Sequence, residues 1–180
     1  PSDPNAPITF VAFGDSRANW NTWRTVAQAV LVSDPMFTLH TGDLITTGEV
    51  QSQWDIWFDY GEPLMSRKVL MPCLGNHEEN TPKYFEQFAL PDPRQWYSFD
   101  YGNAHFIALT TEYSMTGEQL EWLEEDLAST DAMWKFVFYH KPMYSSGSHG
   151  PTISVQNAWR DIFDKYHIDM VFNGHDHIYE

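Results

Sequence analysis

Short apolar runs recur along the chain at residues 8–13 (ITFVAF), 36–40 (MFTLH), 68–74 (KVLMPCL), 134–140 (WKFVFYH) and 169–173 (DMVFN), each bounded by turn-forming residues. Runs of this length and composition predict buried strands. Between them the apolar period changes to that of a helix. Residues 21–32 set Trp23, Val26, Ala27, Val30 and Leu31 on one face, and residues 51–65 are amphipathic and rich in aromatics. Residues 116–129 open with a capping-box pattern from Thr116 to Gln119, and residues 154–167 are again amphipathic. Strands alternating with helices predict a mainly parallel sheet with right-handed crossovers. Residues 96–101 and 104–109 alternate around a turn at Gly102 and Asn103, which predicts an antiparallel hairpin in a second sheet or at one sheet edge. The chain carries no internal repeat, low-complexity tract or mid-chain linker, so residues 1–180 read as one domain.

Composition narrows the picture. With 42% hydrophobic and 16% aromatic residues the chain can build a sizeable core, which excludes a disordered reading. A formal charge of −15, from 25 acidic and 10 basic side chains, argues against nucleic acid as a partner, because phosphate backbones call for clustered Lys and Arg. An acidic protein can still hold a small phosphate when cations sit in its site, which points to metal rather than lysine. Cys73, the single cysteine, lies inside an apolar run and reads as a small core residue. No stretch approaches the roughly 18–20 apolar residues of a membrane span, so no membrane partner is expected. The chain opens on Pro1 rather than Met, so removal of an upstream signal or domain is an expectation, and the location is open, with secreted or periplasmic slightly favoured.

The chemistry collects after the apolar runs. They lead in turn into GDSR (residues 14–17), TGDL (41–44), GNHE (75–78), the His140 that ends YH, and GHDH (174–177). In open α/β sheets ligands bind where the carboxyl ends of the strands gather. Asp15, Asp43, Asn76, His140, His175 and His177 would therefore meet at one edge, and the two histidines of GHDH, on an extended backbone, would point to one side. Carboxylates, an amide and imidazoles suit borderline ions such as Zn, Mn or Fe, whereas an all-oxygen set would suit Ca or Mg. Six ligands are too many for one tetrahedral ion and fit two ions sharing a bridging carboxylate.

This ordered set of blocks resembles the calcineurin-like metallophosphoesterases. The likeness runs from about Ile8 to the last residue. Within that superfamily GNHE, GHDHIYE and HKPMYSSGSH are most similar to purple acid phosphatases. The resemblance implies an α/β fold, an αββα sandwich of two mixed β-sheets flanked by helices, with the metal site at the C-terminal ends of the strands. It makes Asp43 the bridging carboxylate, gives Asn76, His140 and His175 to one ion, and gives Asp15 and His177 to the other. It makes His77 an outer-sphere contact to phosphate. It also gives His149, nine residues after His140, the place of a histidine that protonates the leaving group. The alternative for His149 is an ordinary exposed loop histidine.

The implied function is metal-dependent hydrolysis of phosphate esters by a metal-bound hydroxide at a dinuclear centre. The cofactors would be two metal ions drawn from Fe, Mn and Zn, and the substrate a small phosphomonoester. Phosphodiester hydrolysis, metal or phosphate binding without turnover, and a structural fragment of an exported protein are the alternatives.

Three features depart from the family pattern. Arg17 stands where most metallophosphoesterases carry the histidine of Asp-x-His, and it either grips phosphate oxygens or pairs with a nearby acid. Thr46 stands where purple acid phosphatases carry a tyrosine, so no purple iron chromophore is expected, and Asn19 or another oxygen would complete the first site. The chain stops at Glu180, where the family continues, so the C-terminal part of the second sheet is expected to be missing. His40 and His105 read as hydrogen-bonded core residues and His167 as a helix-end cation. Trp20, Tyr113 and Tyr144 line a pocket or belong to the core.

Overall fold

The computed structural model describes residues 6–180. The elements run β1 (Phe10–Phe13), α1 (Trp20–Val32), β2 (Phe37–His40), α2 (Gln51–Met65), β3 (Val69–Pro72), α3 (Pro82–Gln87), β4 (Tyr97–Tyr101), β5 (Ala104–Ala108), α4 (Glu118–Ser129), β6 (Trp134–Phe138), α5 (Ile153–Tyr166) and β7 (Met170–Phe172). The strands divide into a three-stranded sheet, β1-β2-β3, and a four-stranded sheet, β4-β5-β6-β7. The first is parallel throughout; the second joins the antiparallel β4–β5 hairpin to parallel β6 and β7. Of the two places left open for the hairpin, the second sheet is the one found, and the mainly parallel sheet read from periodicity is corrected only in that it is divided between the two. Strands β6 and β7 belong with the hairpin, and the two-sheet sandwich implied by the resemblance is the architecture found.

Side-chain alternation explains the layering. In β1, Phe10 and Ala12 face the space between the sheets, where they meet Phe37, Leu39, Phe106 and Phe138, while Val11 and Phe13 turn outward beneath α1 and α2. In β5 and β6, Phe106 and Phe138 point inward, and Ile107 and Val137 turn outward against Leu123, Leu127, Trp159 and Phe163 of α4 and α5. Both faces of both sheets are thus apolar, which is why the strands read as continuous hydrophobic runs rather than alternating ones. The intersheet layer is largely aromatic: Phe106 meets Phe10 and Phe37 edge-on at 5.1 Å between ring centroids and stacks on Phe99 at 5.1 Å.

One local expectation is revised, and one helix is found that periodicity did not mark. Helix α4 starts from Gly117, at φ 66, with no side-chain cap, so the capping box is not formed. Gln119 is instead fully buried, accepting from the Thr110 N–H at 2.9 Å and donating to the carbonyls of Thr110 at 3.1 Å and Ser114 at 2.9 Å. A buried amide must satisfy its polar atoms, and this need overrides the local cap. Helix α3 carries no long apolar period, and its signal is Pro82 in the first turn. Among the described residues no helix is long and apolar enough to cross a membrane.

Candidate metal centre

The loops leaving β1, β2, β3, β6 and β7 bring Asp15, Asp43, Asn76, His140, His175 and His177 together where the two sheets meet. Four of these six residues have left-handed backbone: Asp15 at φ 52, Asp43 at φ 59, His175 at φ 73 and His177 at φ 48. Each such non-glycine residue costs about 1 kcal/mol, and strain of this kind clusters where a site dictates side-chain direction. The GHDH segment is therefore a left-handed turn rather than an extended strand, and its two histidines converge by turning. Gly42, at φ 93, is also required, because a Cβ there would lie 2.9 Å from His140 Nδ1.

His140 organises the larger group of donors. Its Nδ1–H donates to the Thr41 carbonyl at 2.8 Å, which leaves Nε2 facing inward. Around Nε2 stand Asn76 Oδ1 at 3.0 Å, Asp43 Oδ1 at 3.3 Å and His175 Nδ1 at 3.3 Å. Lone pairs of an amide, a carboxylate and imidazoles thus point into one space, an arrangement that calls for a cation. A second group adjoins it through Asp43. Asp15 Oδ1 lies 3.2 Å from His177 Nε2, while Asp15 Oδ2 accepts the His175 N–H at 2.9 Å. Ligand atoms of Asp15, Asp43 and His140 all lie within 4.8 Å of one another. The nitrogen and oxygen donors fit a borderline divalent or trivalent ion, and Asp43 is the carboxylate common to both groups.

The electrostatics agree with a site built for positive charge. Burial raises the Asp15 pKa, with the Asp43 charge adding to it against the pull of His140. Burial also works to raise Asp43, but the hydrogen bond and charge of His140 and the His77 N–H outweigh it and hold that carboxyl well below its usual range. Burial would depress His140, yet the bond to Asp43 and the charges of Asp43 and Asp15 raise it. His175 is pushed down to about 4, first by burial and then by His140 and His149, and so offers a neutral nitrogen.

The remaining predicted residues surround this centre. His77 donates its backbone N–H to Asp43 Oδ1 at 3.0 Å, its ring Nδ1 pairs with the Thr46 carbonyl at 2.7 Å, and Nε2 stands 3.8 Å from Asp43 Oδ2. Thr46 thus contributes its backbone rather than a ligand. Arg17 donates from Nε to Asp43 Oδ2 at 3.1 Å, so of the two readings of Arg17 the pairing with an acid is the one seen. Asn19 caps α1, accepting the Thr22 N–H at 3.1 Å, and is engaged there instead of completing the first site. His149 packs against His175, with ring centroids 4.3 Å apart and the planes tilted by 41°. His40 and His105 are buried and hydrogen-bonded as expected, and His167 ends α5. Tyr144 lines a groove of about 940 Å³ that includes Asp15, Asp176 and His177, whereas Tyr113 rests on Trp96 and Trp20 packs beside the α1–α2 core.

Glu78 has a part that residue-by-residue reading missed, although GNHE contains it. Fully buried, its Oε2 accepts the N–H groups of Asp43 at 2.9 Å and Gly75 at 2.8 Å, and its Oε1 those of Leu44 at 2.8 Å and Ile45 at 3.2 Å. One carboxylate thereby ties the Asp43 loop to the Asn76 loop.

The model of the family described as "Calcineurin-like phosphoesterase" matches residues 8–179. Purple acid phosphatase 23 of Arabidopsis thaliana is 32% identical, aligned over 98% of this chain and 42% of its own length. Fe(3+)-Zn(2+) purple acid phosphatase 12 of the same plant is 27% identical over 99% of this chain and 44% of its own. The structure of purple acid phosphatase PPD1 from yellow lupin (Lupinus luteus) seeds superposes with a TM-score of 0.81 at 26% identity, covering 97% of this chain and 39% of that one. The chain therefore spans about two-fifths of the length of these relatives. With the ordered ligand blocks, the sandwich and the shared Asp43 in agreement, this chain belongs to the calcineurin-like phosphoesterase family.

Proposed function

We propose that the protein hydrolyses phosphate esters with two metal ions, phosphomonoesters being the preferred substrates. The observation that carries this reading is the inward-facing donor set around His140 Nε2, joined through Asp43 to Asp15 and His177. Asn76, His140 and His175 would hold one ion and Asp15 and His177 the other, with Asp43 shared. The nitrogen–oxygen donor set suits Fe, Mn or Zn, and a relative whose name carries iron and zinc supports that range. When bound, two such ions neutralise phosphate charge and activate water near neutral pH.

The chain's own groups supply the rest. The His77 ring, held at Nδ1 by Thr46, is oriented to meet a phosphate oxygen with its other nitrogen. The Arg17 guanidinium is engaged through Nε, and its terminal amines have no hydrogen-bond partner among the described residues, so they are free for a phosphoryl oxygen. His149 would give a proton to the departing oxygen. The fixed Arg17 cation, added to two metal ions, favours a dianionic monoester over a diester.

Elemental analysis of the purified chain, paired with hydrolysis of p-nitrophenyl phosphate and bis-p-nitrophenyl phosphate before and after chelation, tests the reading. Close to two transition-metal ions and chelator-sensitive turnover of the monoester are expected. Preference for the bis-ester would make it a phosphodiesterase, and bound phosphate without turnover a binding protein. Asn76→Ala should reduce both metal content and turnover, the latter by about 100-fold on the scale of a lost transition-state contact, with the circular dichroism spectrum unchanged. Full activity in that variant would sink the assignment.

A further inference from the structure

Asp176 lies between the ligand candidates His175 and His177, yet its carboxylate is engaged by the loop at residues 145–149. It accepts the His149 backbone N–H at 2.7 Å and pairs with His149 Nδ1 at 3.0 Å, both through Oδ1, and Oδ2 accepts the Ser145 hydroxyl. A Cβ on Gly147 would lie 2.6 Å from the Asp176 carboxylate carbon, so a side chain there would displace the carboxylate from the loop. The pair is one-sided in exposure. The Asp176 side chain is 3% accessible and that of His149 55%, so a fixed carboxylate holds a ring that reaches into solvent beside His175.

A carboxylate accepts and cannot donate, so the His149–Asp176 contact requires a hydrogen on Nδ1. Nε2 has no hydrogen-bond partner among the described residues. We propose that Asp176 is a positioning residue for His149: it holds Nδ1 and presents Nε2 to the departing oxygen of the phosphate ester. This rests on the hydrolase reading above. In the step, the hydroxide oxygen forms a new bond to phosphorus as the ester P–O bond breaks. The bonding pair passes to the departing oxygen, which takes the proton from Nε2. The ring, which must enter the step with a proton on each nitrogen, keeps Nδ1–H on Asp176, and the proton released when water becomes hydroxide restores Nε2 through solvent.

The test compares Asp176→Val, Asp176→Asn, His149→Ala and the double variant Asp176→Val/His149→Ala with the parent chain, all with metal content measured. Turnover of phenyl phosphate, a poor leaving group, should fall by about tenfold or more in Asp176→Val, while 2,4-dinitrophenyl phosphate, which needs no proton, changes little. His149→Ala should show the same selectivity, and the double variant should be no worse than either single one. Asp176→Asn keeps an acceptor for both His149 donors and should restore most of the phenyl phosphate turnover. A parallel loss on both esters, or loss of metal, would make Asp176 merely structural and overturn the proposal. Side-chain 15N spectra supply a readout independent of turnover. When neutral, the His149 ring should carry its hydrogen on Nδ1 in the parent and redistribute it in Asp176→Val; a neutral parent ring with its hydrogen on Nε2 alone refutes the pairing. A chain that hydrolyses neither ester overturns the hydrolase reading and with it the catalytic use of Nε2, and the tautomer then decides the pairing by itself.

Discussion

Glu78 illustrates why a ligand motif is more than its ligands. Burial pushes its pKa up to about 7, with the Asp43 charge adding to this, while the backbone N–H groups pull it down. Both oxygens are filled, each by two backbone donors. Glu78→Gln would set an NH2 group against two N–H donors, which no rotation relieves, because the other oxygen position is equally occupied. The expected cost is about 2–4 kcal/mol, read as a lower urea midpoint, together with weaker metal retention as the Asp43 loop shifts. A variant as stable as the parent would show that the loops are held by other contacts. The ligand candidates themselves were legible in sequence because glycine, Asp, Asn and His after successive strands form a chemical inventory. Glu78 was not, since three of its four backbone partners, Asp43, Leu44 and Ile45, lie far from it along the chain. The same holds for Asp176, whose neighbours in sequence suggest a spacer and whose neighbours in space are Ser145 and His149.

Between elements, a second histidine ties the hairpin to a helix. His105 of β5 bonds through Nδ1 to Asp100 of β4 at 2.7 Å and through Nε2 to Asp126 of α4 at 2.8 Å, and Ser98 donates to the other Asp126 oxygen at 2.7 Å. Burial alone would lower the His105 pKa, but its bonds to Asp126 and Asp100 raise it. The folded value thus lies above the unfolded one. The clasp's contribution is fully present below the unfolded pKa, near 6.5, and is lost as pH rises through the higher folded pKa. His105→Asn should therefore cost about 1–2 kcal/mol at a pH of about 5.5, discounted for the exposure of Asp100, and the gap to the parent should narrow at a pH of about 8.5. A gap that widens with pH would mean that the ring is held neutral. At this scale periodicity located four of the five helices and every strand. It did not locate α3, whose apolar pattern is too short, and it mistook Gln119 for a cap because the competing Thr110 backbone lies across a loop.

Taken whole, the molecule carries 25 acidic against 10 basic side chains, and two of the acids, Asp43 and Glu78, are buried at the centre. Self-repulsion of this kind destabilises the compact state and is screened by salt. Raising NaCl to about 0.5 M should lift the thermal midpoint by a few degrees, equivalent to roughly 1 kcal/mol. Saturating Zn or Mn at low salt should lift it further, because an ion bound only by the folded state stabilises it by mass action. A midpoint unmoved by salt would show that the repulsion is already offset locally. By itself the sequence determined every strand, four of the five helices, the apolar faces and the list of candidate ligands, because these follow from short-range periodicity and from residue chemistry. Only the tertiary structure decided that β6 and β7 join the hairpin in a separate sheet, since runs buried on both faces carry no mark of their partners. It likewise decided that Arg17 pairs with Asp43 and that Asp176 faces His149, because both contacts join residues far apart along the chain that no local pattern links, whereas the Asn19 cap on Thr22 is a local contact.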